Sequence, residues 1–160
     1  MRDGRFVAAH RGGPLQPNHH RLLAAWAAAC AERVLPLFDQ HGADGRPNQA
    51  IATARLWAAG KIKVGEAQKA AISAHAAARD ASQPAAIAAA RAAGHAAAAA
   101  HCADHSLGAA HYALKAIAAN GGSPETERSW QILRLPAKLR GLVTSALETR
   151  FAKPELLQHR

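Results

Sequence analysis

The segment GHAAAAAHCADHSLGAAHYALKA, residues 94–116, holds four of the chain's ten histidines in a field of alanine. Alanine has the highest helix propensity of the common residues, and 44 of the 160 residues are alanine. The β-branched and aromatic residues that favour strands are scarce along the chain. The sequence therefore predicts an all-α protein.

The length of the chain suits one domain with a sizeable core. We expect a single-domain helical bundle or array of about six to seven helices. A helical-repeat-like stack is an alternative architecture, because the helix pairs 47–80 and 84–119 have similar lengths. The residues of the two pairs do not match position by position. The predicted divisions are an irregular N-terminal lead-in over 1–17, the all-helical domain over 18–150 and a C-terminal tail over 151–160.

Proline, glycine and capping residues mark the expected helix ends. Pro36 should kink or end the first helix, and Ser123 followed by Pro124 should begin a helix. Because Gly108 costs helix stability and Ser106 can cap a helix, residues 107–119 form either a separate helix or a continuation. The predicted helices cover 18–40, 47–60, 64–80, 84–105, 107–119 and the stretch from 123 onward, which divides at Pro136.

Large side chains are few in this chain, and we expect them to anchor the core. Alanine buries little apolar area, so close backbone approach and these few side chains must supply the packing. Losing any of them should destabilise the fold. The expected anchors are Trp26, Phe38, Trp57, Tyr112 and Trp130.

The chain is strongly basic. Twenty lysines and arginines against eleven aspartates and glutamates give a formal net charge of +9. Such a balance makes nucleic-acid binding an alternative function. The basic residues are mostly single, however, and no basic arm or aromatic-studded basic stretch occurs, so a dispersed, solvated surface explains the charge better.

The N-terminus and the cysteines predict the cellular compartment of the protein. The N-terminus lacks the apolar region of a secretory signal, and no apolar stretch is long enough to span a membrane. Cys30 and Cys102 lie far apart in the sequence and form no metal or redox spacing. We expect a cytoplasmic protein with two free, buried thiols and no membrane partner.

The histidines of the opening segment have three interpretations. If one helix runs through them, an arc of about 60° combines small residues and histidines, as in a packing seam between helices. The histidines would then be structural and hydrogen-bonded across helices. The other interpretations are a partner-binding face and a metal or catalytic site. The residues of this arc are Ile87, Gly94, Ala98, His101 and His105.

A metal-dependent enzyme is the least favoured function. His101 and His105 have the spacing of two ligands on one helix, with Asp104 between them and His75 as a candidate third ligand. A zinc protease motif would need a glutamate after the first histidine, where this chain has Cys102. The carboxylates are scattered, and neither a GxSxG motif nor a glycine-rich phosphate loop occurs. We therefore expect no catalytic residue and no cofactor.

Five segments, taken in order, resemble a bacterial all-helical family of immunity proteins, the immunity family five-like group of polymorphic toxin systems. The resemblance covers residues 3–143, and its most distinctive parts are the ARAAGH segment that ends at His95, the histidines at 101 and 105, and the run from Tyr112 to Lys115. The segments are HHRLLAAWAAACAERVLPLFDQ, RPNQAIATARLWAAGKI, SAHAAARDA, AARAAGHAAAAAHCADHSLGAAHYALKA and ERSWQILRLPAKLRGLV.

The resemblance implies a cytoplasmic protein that binds and neutralises a cognate toxin without catalysis. Because inhibitors of basic nucleases tend to be acidic and this chain is basic, we expect an acidic or non-nuclease toxin. A homodimer is also an alternative, because alanine-rich helix faces can pack against a second copy of the chain. The predicted partner-binding residues are His75, Arg79, Arg91, His95, His101 and His105.

Overall fold

The computed structural model describes residues 2–151. These residues form eight α-helices, of which α2 is a single turn, and no named β-strand. The all-α, single-domain prediction is confirmed. The helices are α1 (Pro17–Val34), α2 (Pro36–Asp39), α3 (Arg46–Ala58), α4 (Val64–Asp80), α5 (Pro84–Ala98), α6 (His105–Ala119), α7 (Pro124–Arg134) and α8 (Ala137–Phe151).

Most helix ends lie at the proline and capping signals. Pro36 divides the predicted 18–40 helix into α1 and α2, as its missing N–H requires. The bounds of α4 agree with the prediction. At the start of α7 the Ser123 hydroxyl accepts a hydrogen bond from the Thr126 N–H at 3.2 Å, which satisfies one of the free donors of the helix end.

The predicted helix over 84–105 is wrong, because α5 ends at Ala98 and α6 begins at His105. Between them the chain turns, and the N–H groups of His101 and Cys102 both donate to the Ala98 carbonyl. The turn is held by the Cys102 thiol, which donates to the Asp104 carboxylate at 2.9 Å. His101 and His105 therefore do not share one helix, and the arc that was expected to join them does not exist.

Helix α5 lies at the centre of the array and contacts α1, α3, α4 and α6. Its alanines are buried almost all round, and the half-exposed residues Ile87, Arg91 and His95 follow one another at four-residue spacing on its outer side. Gly94 and Ala98 are buried instead. Because α1 packs across both α5 and α6, the array is more closed than a repeat stack, in which each unit contacts only its neighbours.

The large side chains divide into buried and half-buried anchors. Trp26 and Phe38 are buried, and the Trp26 indole N–H donates to the Gln131 carbonyl at 2.8 Å. Of the two cysteines, which are both free, Cys30 is buried and Cys102 is half-buried. The remaining expected anchors, each half-buried, are Trp57, Tyr112 and Trp130.

The N-terminal segment packs on the array through short turns. Gly4–Phe6 and Ala9–Arg11 form 3-10 turns, and the Phe6 and Leu15 side chains are buried in the core. Residues 152–160 of the predicted tail lie outside the described residues. Within residues 2–151 no helix is both long enough and apolar enough to span a membrane.

Candidate functional site

Four half-buried histidine rings lie in a row across three neighbouring helices. His75 is on α4, His95 is on α5, His105 is the first residue of α6, and His101 lies in the turn before it. The ring centroids of His75 and His95 are 5.2 Å apart, and those of His95 and His105 are also 5.2 Å apart. The centroids of His105 and His101 are 5.1 Å apart. We refer to these four residues as the histidine row.

Two glycines make room for the row. The His75 ring lies against Gly94 of α5, where an added Cβ would be 2.7 Å from Nε2. The His95 ring lies against Gly108 of α6 in the same way, since a Cβ there would be 2.6 Å from Nδ1. Each contact therefore seats a ring of one helix on a glycine of the next, which fixes the ring and brings the helix backbones close.

The rings also contact one another through polar atoms. The Nδ1 atoms of His95 and His105 are 3.1 Å apart, so one of them donates a hydrogen bond and the other accepts it. The His95 ring stacks on Tyr112, with centroids 5.1 Å apart. The buried Nδ1 of His101 has no hydrogen-bond partner among the described residues.

Burial keeps the histidine row neutral at physiological pH. It lowers the pKa of His95 to about 3, with the positive charge of neighbouring groups adding to the effect. Burial is also the main cause that lowers the pKa of His75, His101 and His105. The carboxylate of Asp104 opposes this shift at His105 without reversing it. The row thus offers neutral donors and acceptors rather than positive charges.

The two predicted arginines flank the His75 end of the row. The Arg91 guanidinium is half-buried, and its Nη1 lies 3.5 Å from His75 Nδ1. Arg79 is exposed in the last turn of α4, and its charge also lowers the pKa of His75. The Lys115 ammonium lies 5.3 Å from the centre of the Tyr112 ring, which stacks on His95. The surface around the neutral row is therefore basic.

The described side chains of this region form neither a metal site nor an activated nucleophile. Within residues 2–151, no three or more His, Cys, Asp or Glu side chains are arranged to hold a metal ion. The candidate third ligand, His75, contacts His95 instead of the pair His101 and His105. Burial and the adjacent Asp104 carboxylate raise the pKa of the Cys102 thiol, which disfavours the thiolate that a nucleophile or metal ligand needs.

The family model described as "Imm-5 like putative immunity protein" matches residues 13–138. The chain belongs to this family. Comparisons with curated proteins and with solved structures found no match. The residues that match the immunity family model run from the end of the N-terminal segment through α7 and include the whole histidine row.

Two further histidines of this immunity family member are buried: His111, which belongs to the opening segment, and His20, which the sequence analysis did not single out. His20 Nε2 lies 2.6 Å from the Ala99 carbonyl, so α1 is joined to the turn that follows α5. His111 stacks on Phe151 with ring centroids 4.0 Å apart, and burial lowers its pKa to about 4. The sequence signal for the burial of His20 is its helical spacing with Leu23 and Ala27, since all three lie on the buried side of α1.

Proposed function

We propose that this protein binds and neutralises a cognate toxin in the bacterial cytoplasm, without catalysing a reaction. The observation that carries the proposal is membership of an immunity protein family over residues 13–138. The proposed contact surface is the histidine row together with Arg79 and Arg91. A toxin that covers it would meet neutral imidazoles in the middle and guanidinium groups at one end.

The packing of the row supports its use as a binding surface. Rings seated on Gly94 and Gly108 are already ordered, so a partner loses little side-chain entropy when it docks on them. The unpartnered Nδ1 of His101 gains a partner if a small rotation of the ring brings it to a toxin donor or acceptor. The basic surroundings favour a toxin with an acidic contact surface.

A protection assay tests the proposal. The full chain is co-expressed with candidate toxins from the same bacterium, and growth and complex formation are measured. Arg79→Ala and Arg91→Ala should weaken the complex and reduce protection, because arginine is enriched among the hot spots of protein interfaces. Lys69→Ala removes one positive charge from an exposed site on the same helix α4 and is the matched control. Full protection by both arginine variants would remove this surface from the proposal.

Nucleic-acid binding is the outcome that would replace this proposal. Its most suggestive surface is Trp130, whose ring lies 4.4 Å from the Arg33 guanidinium and 5.0 Å from that of Arg134. Arg33 also pairs with the Glu127 carboxylate, which reduces its attraction for phosphate. Binding of RNA or DNA that weakens steeply as salt rises would favour this alternative over a toxin partner.

A further inference from the structure

A second candidate site lies away from the histidine row, in a groove formed by α6, α7 and α8. The groove has a volume of about 430 Å³, which falls in the range of small-molecule sites. Its walls are mainly apolar and include Leu114, Ile132, Leu147 and Phe151. An organic group of several carbon atoms would bury its surface here.

Arg128 also lines this groove, and burial lowers the pKa of its guanidinium. Its side chain donates one hydrogen bond, to Gln131 Oε1 at 3.0 Å. Among residues 2–151, no carboxylate forms an ion pair with it. A guanidinium in an apolar setting without a counter-charge is unfavourable, and a ligand carboxylate would relieve this.

The two buried carboxylates, Glu127 and Asp104, do have cationic partners. Glu127 is 4% exposed and pairs with Arg33 at 3.1 Å. Asp104 is 5% exposed and lies 3.6 Å from the Arg150 guanidinium. Arg128 has no such partner among residues 2–151 and lies beside a groove, so a ligand in that groove can supply the counter-charge.

Two exposed glutamates of the groove restrict the number of negative groups that a ligand can carry. Glu125 and Glu148 also line the groove, and neither forms an ion pair with Arg128. Their charges disfavour a ligand with a second negative group near them. The lining therefore suits one carboxylate at Arg128 and an apolar body along the wall.

We propose that the groove between α6, α7 and α8 binds apolar monocarboxylates, with the carboxylate paired to Arg128 and the hydrocarbon against Leu147 and Phe151. This site is separate from the proposed toxin surface and does not depend on it. The same chemistry is available from a free organic acid and from the C-terminal carboxylate of an apolar peptide.

The test uses the full chain and four probes. Octanoate and octanol share a hydrocarbon and differ in the carboxylate, while acetyl-Leu-Leu with a free C-terminus and its amide represent the peptide source. We expect saturable octanoate binding by calorimetry, about tenfold tighter than octanol binding, with shifts in the Leu147 methyl signals. Tighter binding of the free dipeptide than of octanoate would identify the peptide source, and the reverse would identify the free acid.

Three variants decide whether Arg128 makes the contact. Arg128→Gln should weaken octanoate binding about tenfold and abolish the preference over octanol. Arg134→Gln, an exposed site on the same helix, should leave it unchanged. Glu148→Gln should strengthen it about twofold, and this variant tests the site even if Arg128→Gln does not fold. Equal binding by all three variants, or no preference for octanoate over octanol in the unaltered chain, would overturn the proposal.

Discussion

The ring of His95 lies directly on Gly108, so that a Cβ at position 108 would be 2.6 Å from the ring nitrogen Nδ1. This contact joins α5 to α6, and the contact between His75 and Gly94 joins α4 to α5 in the same way. The histidines that stand out in the sequence therefore do two things. They hold three helices together, and they form the outer surface at which those helices meet.

Gly108→Ala should destabilise the protein by about 1–3 kcal/mol, because the half-buried His95 ring has little room to move away from the new methyl group. Gly141→Ala is the matched control, since nothing lies within 4 Å of a Cβ at that exposed helical site. This control should stabilise by about 0.5–1 kcal/mol. Urea denaturation gives both values. In a His95→Ala background the Gly108→Ala penalty should disappear, and a penalty that persists would mean that the ring contact is not its cause.

Mild acid should destabilise the fold through the histidine row. The pKa of His95 is about 3 in the folded protein, against an ordinary value of 6.5. Between these two pH values the unfolded chain binds more protons than the folded chain. The part of the folding stability that depends on a neutral His95 is therefore complete above pH 6.5 and is lost as the pH falls toward 3. One such histidine changes the free energy of unfolding by up to about 1.4 kcal/mol per pH unit.

The measurement for this prediction is urea denaturation at several pH values between neutrality and pH 5. His95→Gln should reduce the slope of unfolding free energy against pH. The same slope in the His95→Gln variant and the unaltered chain would show that other groups cause the acid sensitivity.

Trp26→Phe should cost about 2–3 kcal/mol of stability. The buried indole fills space in the core, and its N–H satisfies the Gln131 carbonyl, which the phenyl ring cannot do. Trp57→Phe, at a half-buried site, should cost less. Thermal unfolding followed by circular dichroism ranks the two variants, and an equal loss would mean that Trp26 is not the stronger anchor.

Arg33→Gln should cost about 1–2 kcal/mol, because it leaves the buried Glu127 carboxylate without its partner. The partial exposure of Arg33 keeps this below the cost for a fully buried pair. Combining it with Glu127→Gln should recover part of the loss, since the unpaired charge is then removed. Additive losses in this double-mutant cycle would show that the ion pair is not the source of the effect.

The helices could be predicted from the sequence wherever a residue with special backbone chemistry marks an end. Val64–Asp80 was predicted with the bounds that the structure has, and Ser123 caps α7 as expected. The end of α5 could not be found in this way. Ala98, Ala99 and Ala100 carry no cap signal, and the turn after them is held by the contact of Cys102 with Asp104 and by packing.

The candidate site was predictable as a set of residues but not as a geometry. Its histidines stand out in an alanine-rich chain, whereas the seating of His75 on Gly94 is a contact between helices. No spacing within one helix encodes that contact. The burial of Arg128 without a carboxylate partner in the described chain likewise arises only when α6, α7 and α8 come together.

Hydrogen exchange on the complex with the toxin tests the central claim most directly. Amide exchange is compared, peptide by peptide, between the free protein and the complex formed with the toxin against which it protects. Slower exchange should be concentrated in the last turns of α4, in α5 and at the start of α6, where the histidine row and its two arginines lie. Protection confined to α1, α2 and α3, with α4–α6 unchanged, would contradict the proposed surface.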